Sequence, residues 1–96
     1  MNETIFYNLY SNNEILIQNT YNIITETIKG NSNEIIVIGS HLDSVSKGPG
    51  LNDNGSGSTS MLEILINLLN FNENEIKNKI RFCWWGAEEI GLVGKY

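Results

Sequence analysis

Cysteine, proline and histidine are nearly missing from this 96-residue sequence, which holds one of each. A single cysteine, Cys83, excludes an intrachain disulfide, so the compartment cannot be read from cysteine pairing. The lone histidine, His41, excludes any centre that draws two imidazoles from this chain. Basic residues are few: 6 Lys and Arg stand against 11 Asp and Glu, for a net charge of -5. No basic cluster is present to track phosphates, so nucleic acid is not an expected partner. No apolar run is long enough to cross a bilayer, so no membrane partner is expected either. The amino-terminal residues lack the basic and apolar stretches of a signal peptide. What is present is acidic, which suits a site that collects cations. The hydrophobic fraction of 41% fits one small globular domain.

Residues 5–10 read as a strand from their β-branched and aromatic content. Ser11-Asn12-Asn13 is a turn signal. The pattern over residues 21–28 suggests a second strand ending at Lys29-Gly30. The compact turn Gly30-Asn31-Ser32-Asn33 then predicts a hairpin into a strand over residues 34–40. Residues 35–38, Ile-Ile-Val-Ile, are apolar consecutively, the pattern of a strand covered on both faces. Residues 44–57 read as a polar, glycine-rich loop carrying Pro49.

Ser58-Thr59-Ser60 offers N-cap chemistry for a helix. Its face is Met61, Leu62, Leu65, Leu68 and Leu69, widened by Ile64 and Ile66, so a largely buried helix is expected. It should stop near Asn70. Residues 72–79 form a polar connection with room for a short helical turn, and residues 80–85 a strand ended by Gly86. Residues 91–96 look like the opening of a further element. The order strand, loop, helix, strand predicts an α/β crossover unit with parallel strands. Ligands in such sheets gather at the carboxyl ends of strands, and His41 and Glu88-Glu89 both fall there.

His41 with Asp43 suits a metal ligand whose other ring nitrogen is held by a neighbour, and equally a hydrogen-bonded histidine at a strand end. Asp53, in Asn52-Asp53-Asn54-Gly55, is by itself an ordinary turn residue. Glu88 and Glu89 follow Trp84-Trp85-Gly86-Ala87 without a polar buffer, which places them at a partly buried edge. There one carboxylate can bind a metal while the other stays free as a base. Trp84 and Trp85 read as core, and Cys83 as an inert buried thiol.

Taken together, the stretches around His41 and Asp43, around Gly48-Pro49-Gly50-Leu51-Asn52-Asp53-Asn54-Gly55, and around Trp84-Trp85-Gly86-Ala87-Glu88-Glu89 resemble the M28 zinc aminopeptidases, in the right order and spacing. The likeness is to the secreted leucine-type enzymes of bacteria and fungi and is strong over residues 21–96. It implies a partial catalytic domain spanning residues 1–96, of α/β class: part of a three-layer fold with a mixed sheet and a crossover helix. It implies a two-zinc site in which His41 ligates one zinc, Asp53 bridges both, Glu89 ligates the other, Glu88 is the general base and Asp43 supports the histidine. It also implies a cis peptide after Asp53, peptide substrates with a free amino terminus, and a secreted or vacuolar setting.

The family draws on five metal-binding side chains, and three are present here. The remaining aspartate and histidine are therefore expected outside this chain. Residues 35–38 and 82–85 are expected to show apolar faces and unpaired edges, and the chain to be marginally stable by itself. Two other readings stand beside an aminopeptidase: a metal-free, non-catalytic remnant, and a glutaminyl cyclase of the same broad fold. The Trp84-Trp85-Gly86-Ala87 lead-in and the Asn-Asp-Asn-Gly loop resemble the peptidases rather than the cyclases.

Overall fold

In this computed structural model the described residues are 2–10 and 14–92, with side chains described from residue 19 onward. Four strands and one main helix follow one another as β1 (Asn2–Tyr10), β2 (Glu14–Glu26), β3 (Asn31–His41), α1 (Ser56–Leu68) and β4 (Asn78–Trp85). The molecule is thus a small α/β unit whose sheet order is β1-β2-β4-β3. The expected turn at residues 11–13 and most of the expected element after residue 91 lie outside the described residues.

The expected hairpin between β2 and β3 does not form. β4 lies between them, antiparallel to β2 and parallel to β3. The link after β2 makes this substitution feasible by stepping across the start of β4. Thr27 N–H donates to the Ile80 carbonyl at 2.9 Å, and Asn31 N–H to the Lys77 carbonyl at 2.9 Å. Gly30 sits between them at φ 103, where a Cβ would lie 2.5 Å from the backbone nitrogen of Lys79. Only glycine fits so close a crossing in that conformation. Inserting β4 also matches apolar partners, Ile23 against Trp84 and Ile24 against Cys83.

The connection from β3 through α1 to β4 joins parallel strands, as the crossover pattern requires. α1 starts earlier than its serine run suggested. Its first residue is Ser56 and its N-cap is Gly55, which makes no side-chain cap. Thr59 Oγ1 donates back to the Gly55 carbonyl and Ser60 Oγ to the Ser56 carbonyl, so these hydroxyls lie within the first turns instead of capping them. The helix is not largely buried. Met61 is buried and packs with Phe82 and Trp84; Leu65 and Leu68 border that cluster. Leu62, Ile64, Ile66 and Leu69 are exposed, because the sheet covers only one side of the helix.

Among the residues with described side chains, Phe82 is the one fully buried large side chain, stacked on Trp84 with ring centroids 6.1 Å apart. They are two residues apart and so share one face of β4. Trp85, on the other face, lies over Gly39 of β3. A Cβ on Gly39 would fall 1.9 Å from that ring. β4 is paired on both edges, contrary to the expectation of an open edge at residues 82–85. β3 is the outer strand of the described sheet, and Ile36 and Val37 are 50% and 54% exposed. Its consecutive apolar residues are therefore not covered on both faces within this unit.

Candidate metal centre

Parallel register decides where the polar residues meet. His41, the last residue of β3, pairs with Trp85, the last residue of β4. Leu42 N–H donates to the Trp85 carbonyl at 2.8 Å and carries the pairing one residue further. The chain segments leaving the two strands therefore start side by side. After Trp85, Gly86 and Ala87 turn the chain sharply. Gly86 N–H donates to the buried Asn22 side chain at 2.9 Å. Ala87 takes φ 59, the left-handed region. For a residue with a Cβ that conformation costs about 1–2 kcal/mol.

The turn is held from the β3 side by Asp43. Its carboxylate accepts the Glu88 and Glu89 backbone N–H groups, each at 3.0 Å. Neither this double contact nor the bend at Ala87 has a signature in the sequence. The Asp43 backbone carbonyl accepts from His41 Nδ1 at 2.9 Å, while its carboxylate lies 3.6 Å from the same nitrogen. Asp43 thus supports the histidine chiefly through its main chain, and the two glutamates through its side chain.

The loop before α1 brings in Asp53. Residues 51–55 form a helical turn broken at Asp53 and Asn54, and the peptide between those two is cis. Gly50 opens this turn at φ 65 and its carbonyl accepts from Gly55 N–H at 2.8 Å. Asp53 Oδ1 ends 2.9 Å from His41 Nε2, and Glu88 Oε2 lies 3.8 Å from the same nitrogen. One donor atom each from His41, Asp53 and Glu89 lies within 4.8 Å of the others. His41 is buried at 7% exposure, whereas the Asp53 side chain is 77% exposed. The five residues singled out in the sequence, His41, Asp43, Asp53, Glu88 and Glu89, are therefore brought to one rim.

The hydrogen-bond inventory of His41 shows what this rim can hold. A carbonyl only accepts, so Nδ1 must carry a proton toward Asp43. In the neutral ring Nε2 is then a bare lone pair, facing a carboxylate oxygen at 2.9 Å. Two acceptors at that distance require a proton or a cation between them. With a proton the ring is cationic. Burial opposes that charge, but the Asp43 carbonyl, the Asp53 carboxylate and the charges of Glu88 and Asp43 outweigh it and raise the His41 pKa. With a metal instead, the donor set is one imidazole nitrogen and carboxylate oxygens, a set that zinc accepts. The residues present fit such an ion. Beside them a cleft of about 380 Å³ is lined by Val45, Gly48, Pro49, Gly50, Leu51, Asn52, Asp53 and Glu89.

The profile described as "Peptidase family M28" matches residues 22–95. An aminopeptidase of Pseudomonas aeruginosa (strain UCBPP-PA14) is 55% identical over 75 residues, covering 78% of this chain and 13% of the relative. A probable leucine aminopeptidase 2 of Aspergillus fumigatus is 43% identical over 91 residues, 95% of this chain and 18% of the relative. A leucine aminopeptidase 2 of Trichophyton rubrum is 49% identical over 75 residues, 78% of this chain and 14% of the relative. The chain thus spans less than a fifth of the length of these relatives. The match covers β4, α1, β3 and the whole rim, and on it this chain belongs to peptidase family M28.

Proposed function

We propose that this chain carries the zinc-binding edge of an aminopeptidase that removes amino-terminal, apolar residues from peptides. The observation that supports it best is the convergence of His41, Asp53 and Glu89 donor atoms within 4.8 Å, with Glu88 beside them. In this reading His41, Asp53 and Glu89 would hold the zinc. Bound there, zinc would acidify water and polarise the scissile carbonyl. Glu88 takes the proton from the attacking water and delivers it to the leaving amine as the C–N bond breaks. Asp43 fixes the Nδ1 proton of His41 through its carbonyl, which leaves Nε2 free to hold a metal, and it positions the backbone of both glutamates through its carboxylate. Val45, Pro49 and Leu51 give the adjoining cleft apolar walls for the first side chain, and Asp53 and Glu89 line the same cleft, where a free amino group would be attracted.

A second reading, a metal-free module without activity, draws support from the donor count, because His41 is the only imidazole in the sequence. Zinc titration of the purified chain, followed by assay with a leucyl chromogenic substrate, separates the two. Zinc uptake with hydrolysis that Glu88→Gln abolishes supports the peptidase. Neither uptake nor hydrolysis supports the second reading.

A further inference from the structure

Two serines that the zinc reading leaves without a role lie directly behind the site. Ser40, buried at 4% exposure, precedes His41, and Ser58 is the third residue of α1. Ser58 Oγ donates to the His41 carbonyl at 2.9 Å and lies 2.9 Å from Ser40 Oγ. Ser40 Oγ in turn reaches the Asn54 carbonyl at 3.4 Å. From the other side, Trp84 Nε1 donates to the Ser58 carbonyl at 3.2 Å. One residue of α1 is therefore tied to the end of β3 and to β4, and it meets Ser40, whose hydroxyl also lies near the residue after Asp53.

Proton counting ranks these contacts. Two hydroxyls supply two protons for three oxygen–oxygen contacts. The His41 carbonyl can only accept, so it takes the Ser58 proton. The Ser40 proton then serves Ser58 Oγ at 2.9 Å in preference to the Asn54 carbonyl at 3.4 Å. Ser58 Oγ is the node, donating once and accepting once. Without it the Ser40 proton has only the Asn54 carbonyl to turn to. That contact is long at 3.4 Å, so taking up the proton would draw the Asn54 carbonyl, and with it the residue after Asp53, toward the end of β3.

We propose that Ser58 is a positioning residue whose hydroxyl, relayed through Ser40, sets the spacing between His41 and Asp53. The inference rests on the zinc reading and goes past it to what holds the ligands in place. Metal sites tolerate only about 0.2 Å of error in ligand distance, so a small shift of the Asn54 carbonyl carries over to affinity.

The test uses the full chain as wild type and as Ser58→Ala, Ser58→Thr and Ser58→Val. Thr and Val share a shape and differ in the hydroxyl, so that pair decides the matter even should the alanine variant fail to fold. Zinc affinity is measured by competition with a chelator. The His41 ring nitrogen shifts are recorded by NMR without metal. The expected result is a loss of about 10–100-fold in zinc affinity for S58A and S58V, recovery in S58T, and ring shifts that follow the same grouping. Equal affinity in S58V and S58T overturns the proposal, as does a loss that S58T does not recover. A wild-type chain that takes up no zinc overturns the zinc reading instead, and the ring shifts then decide this one: alike in S58V and S58T, they overturn it.

Discussion

His41 lies between a carbonyl that fixes its Nδ1 proton and a carboxylate that faces its bare Nε2, which makes it a point of competition between proton and metal. The sign of the pH effect differs between the two states. Without metal, a pKa raised in the folded chain means that protonation contributes stability fully below the ordinary histidine pKa of about 6.5. That contribution is lost as pH rises through the raised value. With zinc the order reverses, because the proton must leave before the metal binds. Thermal melts across about pH 5.5–8, on either side of the ordinary histidine value, with and without zinc, should therefore show opposite slopes for the His41 contribution, and His41→Gln should remove both. Parallel slopes would contradict the assignment. Ala87 offers a separate check. Its left-handed φ of 59 is free of strain for glycine, so Ala87→Gly should stabilise the chain by up to about 1 kcal/mol in denaturant melts. A clear loss would show that the buried methyl matters more than the backbone.

At the level of elements, the parallel pair β3–β4 and helix α1 position the rim, and their packing is unequal. Gly39 and Trp85 are in such close contact that Gly39→Ala must displace the indole ring, with an expected cost of about 1–3 kcal/mol. On α1, Met61→Ala should cost about 2–5 kcal/mol, whereas Leu62→Gln, on the exposed face, should stay within about 0.5 kcal/mol. Urea midpoints measure all three. Comparable losses at Met61 and Leu62 would mean that the exposed face is covered. Two parts of the rim stood out in the sequence at strand ends, the only histidine and a glutamate pair after an aromatic run, whereas Asp53 by itself read as an ordinary turn residue and joined them only through the family resemblance. Strand order was not, because the Gly30 crossing that lets β4 separate β2 from β3 resembles any tight turn. Helix burial was misjudged because periodicity shows which face is apolar but not whether a partner lies against it. Ser58 and Ala87 act through a hydroxyl contact and a backbone angle, and neither leaves a pattern in the sequence.

The described molecule is long and thin, 55 × 27 × 17 Å, because β2 pairs with β1 over residues 14–22 and with β4 only over residues 23–26. Among the residues with described side chains, the buried hydrophobic ones are Met61, Phe82, Cys83, Trp84 and Ala87, few beside the exposed Ile23, Ile24, Leu62, Ile64, Ile66 and Leu69. Exposed Ile36 and Val37 on the outer strand add apolar surface beside an edge without a partner in the described sheet. The metal-free chain should accordingly melt broadly, and a sharp transition independent of concentration would count against that. Zinc should sharpen the transition, adding about 2.7 kcal/mol at a hundredfold excess over its Kd, and a chelator should reverse the gain. The central claim, that His41, Asp53 and Glu89 share a cation pocket, is tested most directly by anomalous diffraction at the zinc edge from zinc-soaked crystals. The account predicts a peak about 2.0–2.1 Å from His41 Nε2 and about 2.0–2.2 Å from carboxylate oxygens of that set. A structure with zinc elsewhere, or with no anomalous peak at that rim, would contradict it.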